Sequence, residues 1–231
     1  MAILECKNLC MSYGSKNALD NINLQIEAGR VIGLLGPNGS GKTTLIKLAN
    51  GLLTPTSGEI LINGEKPGVN SKRRVSYLSD KRCLAPWMSV KQLMDFFGDF
   101  YADFSREKAE EMLKRLGLDE KQRIKQMSKG TIEKVQLIMV MSREADLYLL
   151  DEPIGGVDPA TRDYILDTII KNYNPAASVI ISTHLISDVE QILDDVIFIN
   201  GGHIQLMTTV DDIREQHGTS VDGYFREVFK C

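Results

Sequence analysis

A short segment near the start of the chain combines three glycines with a lysine and two threonines. It follows an apolar run at residues 31–35 and consists of Gly36, Pro37, Asn38, Gly39, Ser40, Gly41, Lys42, Thr43 and Thr44. Glycines at this spacing let successive N–H groups point at phosphate oxygens, and Lys42 reaches the β- and γ-phosphates. The Thr43 hydroxyl suits Mg²⁺, and a helix opening at Thr44 adds its positive dipole end. The segment predicts a phosphate-binding loop, in preference to a glycine-rich turn without a ligand.

A second group of reactive side chains stands at the end of another apolar run. Residues 147–150 lead directly into Asp151 and Glu152. Because successive residues of a strand point to opposite sides, the two carboxylates can take different roles. Asp151 suits an Mg²⁺ position, and Glu152 suits a general base for the water that attacks a γ-phosphate. The alternative is a strand-end turn with two solvated acids.

The apolar patterns around these segments predict the elements that hold them. Alternation at residues 22–26 and a run ending in Asn63 and Gly64 indicate strands of an antiparallel layer. Strands buried on both faces of a parallel sheet read as continuous apolar runs, and four such runs occur at residues 31–35, 147–150, 179–182 and 196–199. Helical spacing between about residues 84 and 143 predicts a helical insertion into this α/β body.

Composition narrows the class of protein. The chain has 231 residues, 43% of them hydrophobic, so it can bury a sizeable core. A net charge of -4 supplies no basic field for nucleic acid, and nucleic acid is not an expected partner. The chain lacks a signal segment and a bilayer-length apolar run, so a membrane function would need another chain. The four cysteines are scattered and form no C-x-x-C pair, which indicates reduced thiols in a cytosolic protein. They are Cys6, Cys10, Cys83 and Cys231.

The segment from Met127 to Pro153 resembles the region of ABC-type ATPases that runs from the signature motif to the Walker B strand. Three further positions agree with that family. Asp158 resembles the D-loop aspartate, His184 the switch histidine, and Tyr13 the aromatic residue that stacks on adenine. Since Pro159 follows Asp158, this aspartate also suits a helix N-cap. The resemblance covers nearly the whole chain in the family's order.

The resemblance implies an α/β fold: a P-loop NTPase (RecA-like) core with an antiparallel β layer and an inserted α-helical subdomain. One ABC-type ATPase domain would fill residues 1–231. Its nucleotide-binding core would span about 1–83 and 144–231, and its helical subdomain about 84–143.

The resemblance also implies ATP and Mg²⁺ as cofactors. Glu152, His184 and Lys42 are the expected catalytic residues, with His184 as a sensor of the γ-phosphate. Thr43, Asp80 and Asp151 are the expected metal group. Beyond the loop at residues 36–44, the expected nucleotide contacts are Tyr13, Ser128, Gly130 and Asp158, the signature residues acting on the nucleotide of a partner subunit.

Two departures from the family pattern bear on this interpretation. Where the family usually has Leu-Ser-Gly-Gly-Gln, the chain has Met127-Ser128-Lys129-Gly130-Thr131, which keeps the serine and one glycine but adds a cation. We expect Lys129 to meet a partner's γ-phosphate, the alternative being a lysine in solvent. At the lid glutamine the chain has Asp80, whose shorter, charged side chain can still ligate Mg²⁺.

The function implied is that of an ATP-hydrolysing motor subunit of an ABC transporter, most like those of exporters. Two subunits, as a homodimer or a heterodimer, would close head to tail around ATP and drive a separate transmembrane permease subunit. The chain would be cytoplasmic and peripheral on the inner face of the cell membrane. The alternatives are a soluble ABC-type ATPase unconnected with transport and a catalytically weak partner in a heterodimeric transporter.

The expected docking surface for the permease is the helical region from Asp80 to Phe104. Trp87, Phe96 and Tyr101 are its candidate exposed residues. The alternative interpretation is that three phenylalanines at helical spacing, Phe96, Phe97 and Phe100, are buried inside the helical region itself.

Overall fold

The computed structural model describes residues 2–174 and 176–229. Their strands are β1 (Ala2–Tyr13), β2 (Lys16–Glu27), β3 (Val31–Leu35), β4 (Ser57–Ile62), β5 (Val75–Leu78), β6 (Leu147–Asp151), β7 (Ser178–Thr183), β8 (Asp195–Asn200) and β9 (His203–Thr209). Their α-helices are α1 (Lys42–Ala49), α2 (Val69–Arg74), α3 (Val90–Phe100), α4 (Arg106–Arg115), α5 (Lys129–Met141), α6 (Pro159–Asn172), α7 (Ile186–Val189), α8 (Val210–His217) and α9 (Val221–Phe229).

The first sheet is the predicted antiparallel layer, with strand order β2-β1-β4. Ile22, Leu24 and Ile26 of β2 are buried, and the residues between them are exposed. This alternation places one face of the layer against the protein interior and leaves the other face in solvent.

The second sheet has the order β5-β6-β7-β3-β8-β9. Its first five strands run parallel, which confirms the interpretation of the continuous apolar runs. β9 was not predicted and pairs antiparallel with β8. Gly201 and Gly202, with φ angles of 54° and 83°, make the tight turn that joins these two strands.

Residues of β3 alternate between two apolar clusters on the two faces of the parallel sheet. Ile32 and Leu34 join the cluster that also contains the antiparallel layer and α1. Val31 and Leu35 join the cluster on the other face, where helices α3 to α6 contribute. Both faces of the sheet are therefore covered, as its uninterrupted apolar strands require.

The helical insertion predicted between residues 84 and 143 is confirmed by helices α3, α4 and α5. Their buried residues, such as Leu93, Met112 and Ile138, belong to the same cluster as one face of the parallel sheet. The division of the chain into a core and a separate helical subdomain stays a prediction. No helix within the described ranges combines the length and the apolar composition needed to cross a membrane.

The aromatic residues of the helical insertion fall into two groups. Trp87, Phe96 and Phe100 are exposed, with 62%, 42% and 69% of their surface accessible. The expectation that Tyr101 is exposed was wrong, because the guanidinium of buried Arg143 lies 3.9 Å from the centre of its ring. The competing burial of Phe96 and Phe100 was also wrong.

Candidate nucleotide-binding site

Four strands of the six-stranded sheet end at one edge and bring the predicted site residues together. β5, β6, β7 and β3 run parallel, so the segments after them emerge side by side. These segments carry Asp80, the Asp151–Glu152 pair, His184 and the loop at residues 36–41. The carboxyl edge of an open parallel sheet is where such folds bind ligands.

The loop at residues 36–41 packs so closely that two positions require glycine. A Cβ on Gly36 would lie 2.2 Å from the carbonyl oxygen of Ile199. Gly41 has a φ of 114°, and a Cβ there would lie 2.7 Å from the carbonyl oxygen of Ala18. Helix α1 begins at Lys42, two residues before the predicted start, so its unpaired first-turn N–H groups adjoin the loop.

The Lys42 side chain folds back over this loop. Its Nζ donates to the carbonyl oxygens of Gly36 and Pro37, at 2.7 and 3.2 Å. Burial lowers the pKa of the Lys42 ammonium, and the negative charge of Glu152 opposes that shift. The loop thus holds the Lys42 ammonium against its own backbone. A positive charge at this point suits the binding of a polyanion.

Asp151 is fully buried at the end of β6. Its Oδ1 accepts hydrogen bonds from the Thr43 hydroxyl at 3.1 Å and the Ser182 hydroxyl at 2.5 Å. Its Oδ2 is buried without a hydrogen-bond partner. Burial raises the pKa of the Asp151 carboxyl, and the bonds from Ser182 and Thr43 oppose that shift. A buried carboxylate oxygen without a hydrogen-bond partner is suited to bind a metal ion.

Glu152 stands between the two other residues expected to act in catalysis. Its Oε1 lies 3.5 Å from Lys42 Nζ, and its Oε2 lies 3.0 Å from His184 Nδ1. Glu152 has a φ of 50°, and its N–H donates to the carbonyl oxygen of Ser182 at 2.9 Å. Left-handed backbone in a residue other than glycine is sparsely populated and persists where surrounding bonds hold it.

Lys42 and Glu152 line a cleft of about 350 Å³. Tyr13, predicted from its resemblance to an adenine-stacking residue, lies at this cleft and is 48% exposed. Tyr13 pairs across the β1–β2 hairpin with Lys16, which also lines the cleft. Asp80 lines it as well. One cleft therefore contains an aromatic ring, the phosphate-binding loop and the proposed base.

The signature residues lie elsewhere on the chain. Ser128 caps α5, where its Oγ accepts from Thr131 N at 3.2 Å, and Gly130 follows in the first turn. Asp158 caps α6 by accepting from Thr161 N at 3.0 Å, which confirms its predicted N-cap role. None of these three residues lines the cleft of its own chain. Their contact with nucleotide stays a prediction.

Three residues of this region were missed by the sequence analysis. Ser182 donates to the Asp151 carboxylate and accepts from the Glu152 N–H, so it links the side chain of one acid to the backbone of the other. The only feature of the sequence that could have indicated Ser182 is its place near the end of a buried strand, two residues before His184. Lys16 and Ala18 line the cleft beside Tyr13. Their position beside Tyr13 follows from the register of the β1–β2 hairpin, which the alternation at residues 22–26 did not reveal.

Comparison with known proteins places these observations in a family. The model of the ABC transporter family matches residues 19–155. The chain is 32% identical over 224 residues to the uncharacterized ABC transporter ATP-binding protein YxlF of Bacillus subtilis, covering 95% of this chain and 75% of that protein. It is 31% identical over 222 residues to the SkfA peptide export ATP-binding protein SkfE of the same organism, covering 94% and 93%.

Solved structures agree. An ATP-binding subunit of an ABC transporter superposes with a TM-score of 0.87 at 28% identity, over 98% of this chain and 99% of that one. The ATP-binding cassette MJ0796, a post-hydrolysis dimer bound to ADP and Pi, shares the fold with a TM-score of 0.79 at 23% identity, over 89% and 98%. Since the family model spans more than half of the chain, this protein belongs to the ABC transporter family as an ATP-binding ATPase subunit with a P-loop fold.

Proposed function

We propose that this chain is the ATP-hydrolysing motor subunit of an ABC exporter. The position of Glu152 carries the proposal. Its carboxylate contacts Lys42 Nζ on one side and His184 Nδ1 on the other, within the cleft that the phosphate-binding loop lines. A carboxylate at this point is within reach of a water in line with a γ-phosphate that Lys42 holds.

In the proposed reaction, Glu152 accepts a proton from the attacking water as the water oxygen bonds to the γ-phosphorus. The bond from that phosphorus to the oxygen bridging to the β-phosphorus breaks, leaving ADP and inorganic phosphate. His184 orients the carboxylate through Nδ1, which leaves Nε2 to contact the γ-phosphate. Lys42 balances charge on the phosphate oxygens. Glu152 then returns its proton to solvent.

Mg²⁺ fits the residues at the end of β6. Thr43 Oγ1 and the unpartnered Oδ2 of Asp151 would hold the ion, and Asp80 at the cleft is the further candidate. Among the residues that the structure describes, no three acidic, histidine or cysteine side chains form a metal cluster. Bound there, Mg²⁺ neutralises charge on the β- and γ-oxygens.

A head-to-tail dimer would bring the separated parts of the site together. The exposed Ser128 and the half-exposed Gly130 stand at the start of α5, away from the cleft of their own chain. A helix N-terminus with a serine cap suits a phosphate. A second subunit, identical or different, would place this helix against the nucleotide held by the first, and the dimeric cassette of the same fold supports this arrangement.

The membrane-spanning part would be a separate permease subunit, with this chain held peripherally at the inner face of the membrane. Exposed Phe96 and Phe100 stack with their ring centres 4.5 Å apart, and Trp87 is also exposed. The Phe96–Phe100 pair offers an apolar docking surface, and Trp87 is a further exposed aromatic residue of the same helical region. SkfE is named for peptide export, which supports export as the direction of transport.

The test is ATP turnover by the purified chain and by Glu152→Gln. A positioned base contributes roughly 10²–10⁴-fold, so the variant should lose turnover by such a factor while still binding ATP. Glu144→Gln, an exposed acid outside the cleft, is the matched control. Parental turnover by Glu152→Gln would refute Glu152 as the base. A parental protein without ATP turnover would point to the catalytically weak partner instead.

A further inference from the structure

Helix α5 presents a polar face to the loop that carries Asp80. Lys129, Glu133 and Gln136 are spaced by four and three residues, so they lie on one side of the helix. Glu133 and Gln136 line a cavity of about 50 Å³ together with Asp80 and Glu152. At its start, the same face has Lys129 Nζ at 3.9 Å from Glu133 Oε1. This face therefore runs from the signature residues to the surroundings of Glu152.

Gln136 makes the direct contact between this face and the loop. Its side chain is 5% exposed, and its Nε2 donates to the carbonyl oxygens of Ser79 at 3.2 Å and Lys81 at 3.3 Å. The two carbonyls flank Asp80. A buried amide is costly unless its donors are satisfied, and here the loop backbone satisfies them. The bonds fix the loop backbone on either side of Asp80.

The side chain of Asp80 makes few contacts of its own that would fix its position. The hydrogen bond described for its side chain comes from the adjacent Ser79 hydroxyl, at 3.2 Å. Asp80 is exposed, yet it lines both the nucleotide cleft and the small cavity beside Glu152. The position of its carboxylate in the cleft thus depends on the backbone that Gln136 holds.

We propose that Gln136 is a positioning residue that couples α5 to Asp80. A helix moves as a rigid element, so a displacement of its signature end by a partner would be transmitted through Gln136 to the backbone around Asp80. The inference deepens the proposed function, on which its catalytic consequence rests. The two hydrogen bonds from Gln136 to the loop are present in the chain without nucleotide or partner, and they are tested separately.

The test uses Cys83, an exposed thiol two residues beyond Lys81, as a reporter of the loop. Gln136→Met keeps the side-chain length but removes both donors, and Gln136→Glu places a carboxylate against two carbonyls. We expect alkylation of Cys83, resolved by peptide mass spectrometry, to accelerate by about five- to tenfold in Gln136→Met and further in Gln136→Glu. Cys10 on β1 is the internal reference and should react at its parental rate.

Ser142→Ala is the matched control at the C-cap of the same helix, because the buried Ser142 hydroxyl donates to the carbonyl oxygen of Ile138 in α5 and not to the loop. It should leave Cys83 alkylation within twofold of the parent. If Gln136→Met does not fold, Gln136→Asn keeps the amide but shortens its reach, and it must also accelerate alkylation. A Cys83 rate within twofold of the parent in a folded Gln136 variant overturns the proposal.

Turnover supplies the second measurement. Gln136→Met should lower kcat about tenfold with KM for ATP within twofold, since the phosphate-binding loop is unchanged. In an Asp80→Ala background the same substitution should cost no further turnover, whereas a general packing defect would add its full effect. Additive losses overturn the coupling to Asp80. Failure of the proposed function would look different: Glu152→Gln would retain turnover while Cys83 still responded to Gln136→Met.

Discussion

Lys42 and Glu152 are direct neighbours, with 3.5 Å between Lys42 Nζ and Glu152 Oε1. The lysine side chain is 5% exposed and the glutamate side chain 19%, so the pair is only weakly screened by water. The expected phosphate ligand and the expected base are thus coupled before any chemistry begins. Substituting one of them changes the charge that the other experiences, so ATP binding and ATP turnover have to be measured separately in each variant.

Lys42→Ala should weaken ATP binding far more than adenosine binding, because the phosphates are the only part of the ligand that the lost ammonium is expected to contact. Loss of hydrogen bonds to a charged group is worth about 1.5–3 kcal/mol, or roughly a tenfold to more than a hundredfold change in Kd. Tyr13→Ala should weaken both ligands, since the ring contacts the base. Titration of each variant with ATP and adenosine measures the difference.

Lys47→Ala is the control for this series, since Lys47 lies on the last turn of α1 and does not line the cleft. It should bind both ligands as the parent does. Equal losses of ATP and adenosine affinity in Lys42→Ala would contradict the assignment of Lys42 to phosphate.

Asp151→Asn should stabilise the protein against unfolding as pH rises, at the expense of Mg²⁺-dependent ATP binding. Burial raises the folded-state pKa of this carboxyl, so its favourable contribution is present below the unfolded-state pKa and is lost as pH rises through the folded-state value. Asparagine cannot ionise and still accepts the bonds from Thr43 and Ser182. The free energy of unfolding of the variant should therefore rise relative to that of the parent as pH rises through the folded-state pKa of Asp151.

Urea unfolding at several pH values gives this comparison. Asp99→Asn, an exposed acid on α3, serves as the control. A constant difference between Asp151→Asn and the parent across the range would show that burial of the charge does not limit stability.

Lys129→Glu should weaken ATP-driven dimerisation in a Glu152→Gln background by on the order of 1–3 kcal/mol. Lys129 is 58% exposed and lies 3.9 Å from Glu133, so reversal removes a cation and places two carboxylates one turn apart. Light scattering with and without ATP and Mg²⁺ measures the dimer. Lys125→Glu is the matched reversal at an exposed lysine nearby. If both reversals leave dimerisation intact, Lys129 belongs to the solvated surface.

Phe96→Ser combined with Phe100→Ser should leave the ATP turnover of the isolated chain unchanged but reduce its capture by the permease. The two rings are exposed and contact each other, so their removal opens no cavity in the core. Co-purification with the permease subunit measures the effect. Val69→Ser, an equally exposed apolar residue on α2, is the control. Undiminished capture would place the docking surface elsewhere.

Local motifs were readable from the sequence because neighbouring residues define them. The spacing of Gly36, Gly41 and Lys42 defines a phosphate loop wherever it follows a buried strand. The burial of residues 31–35 and 147–150 follows from their continuous apolar composition. The fold class and the identity of the chemical groups could be predicted on that basis.

Contacts between distant segments were decided only by the tertiary structure. Ser182 reaches Asp151 across 31 residues of sequence, and Gln136 reaches the loop at Ser79 across 57. The contact between half-buried Tyr101 and the guanidinium of Arg143 likewise overturned the expectation that this ring is exposed. A one-dimensional pattern specifies which side chains are apolar or charged, but their partners depend on strand order and on how helices cross the sheet. The placement of Glu152 between Lys42 and His184 is of this kind, because it joins the ends of three parallel strands.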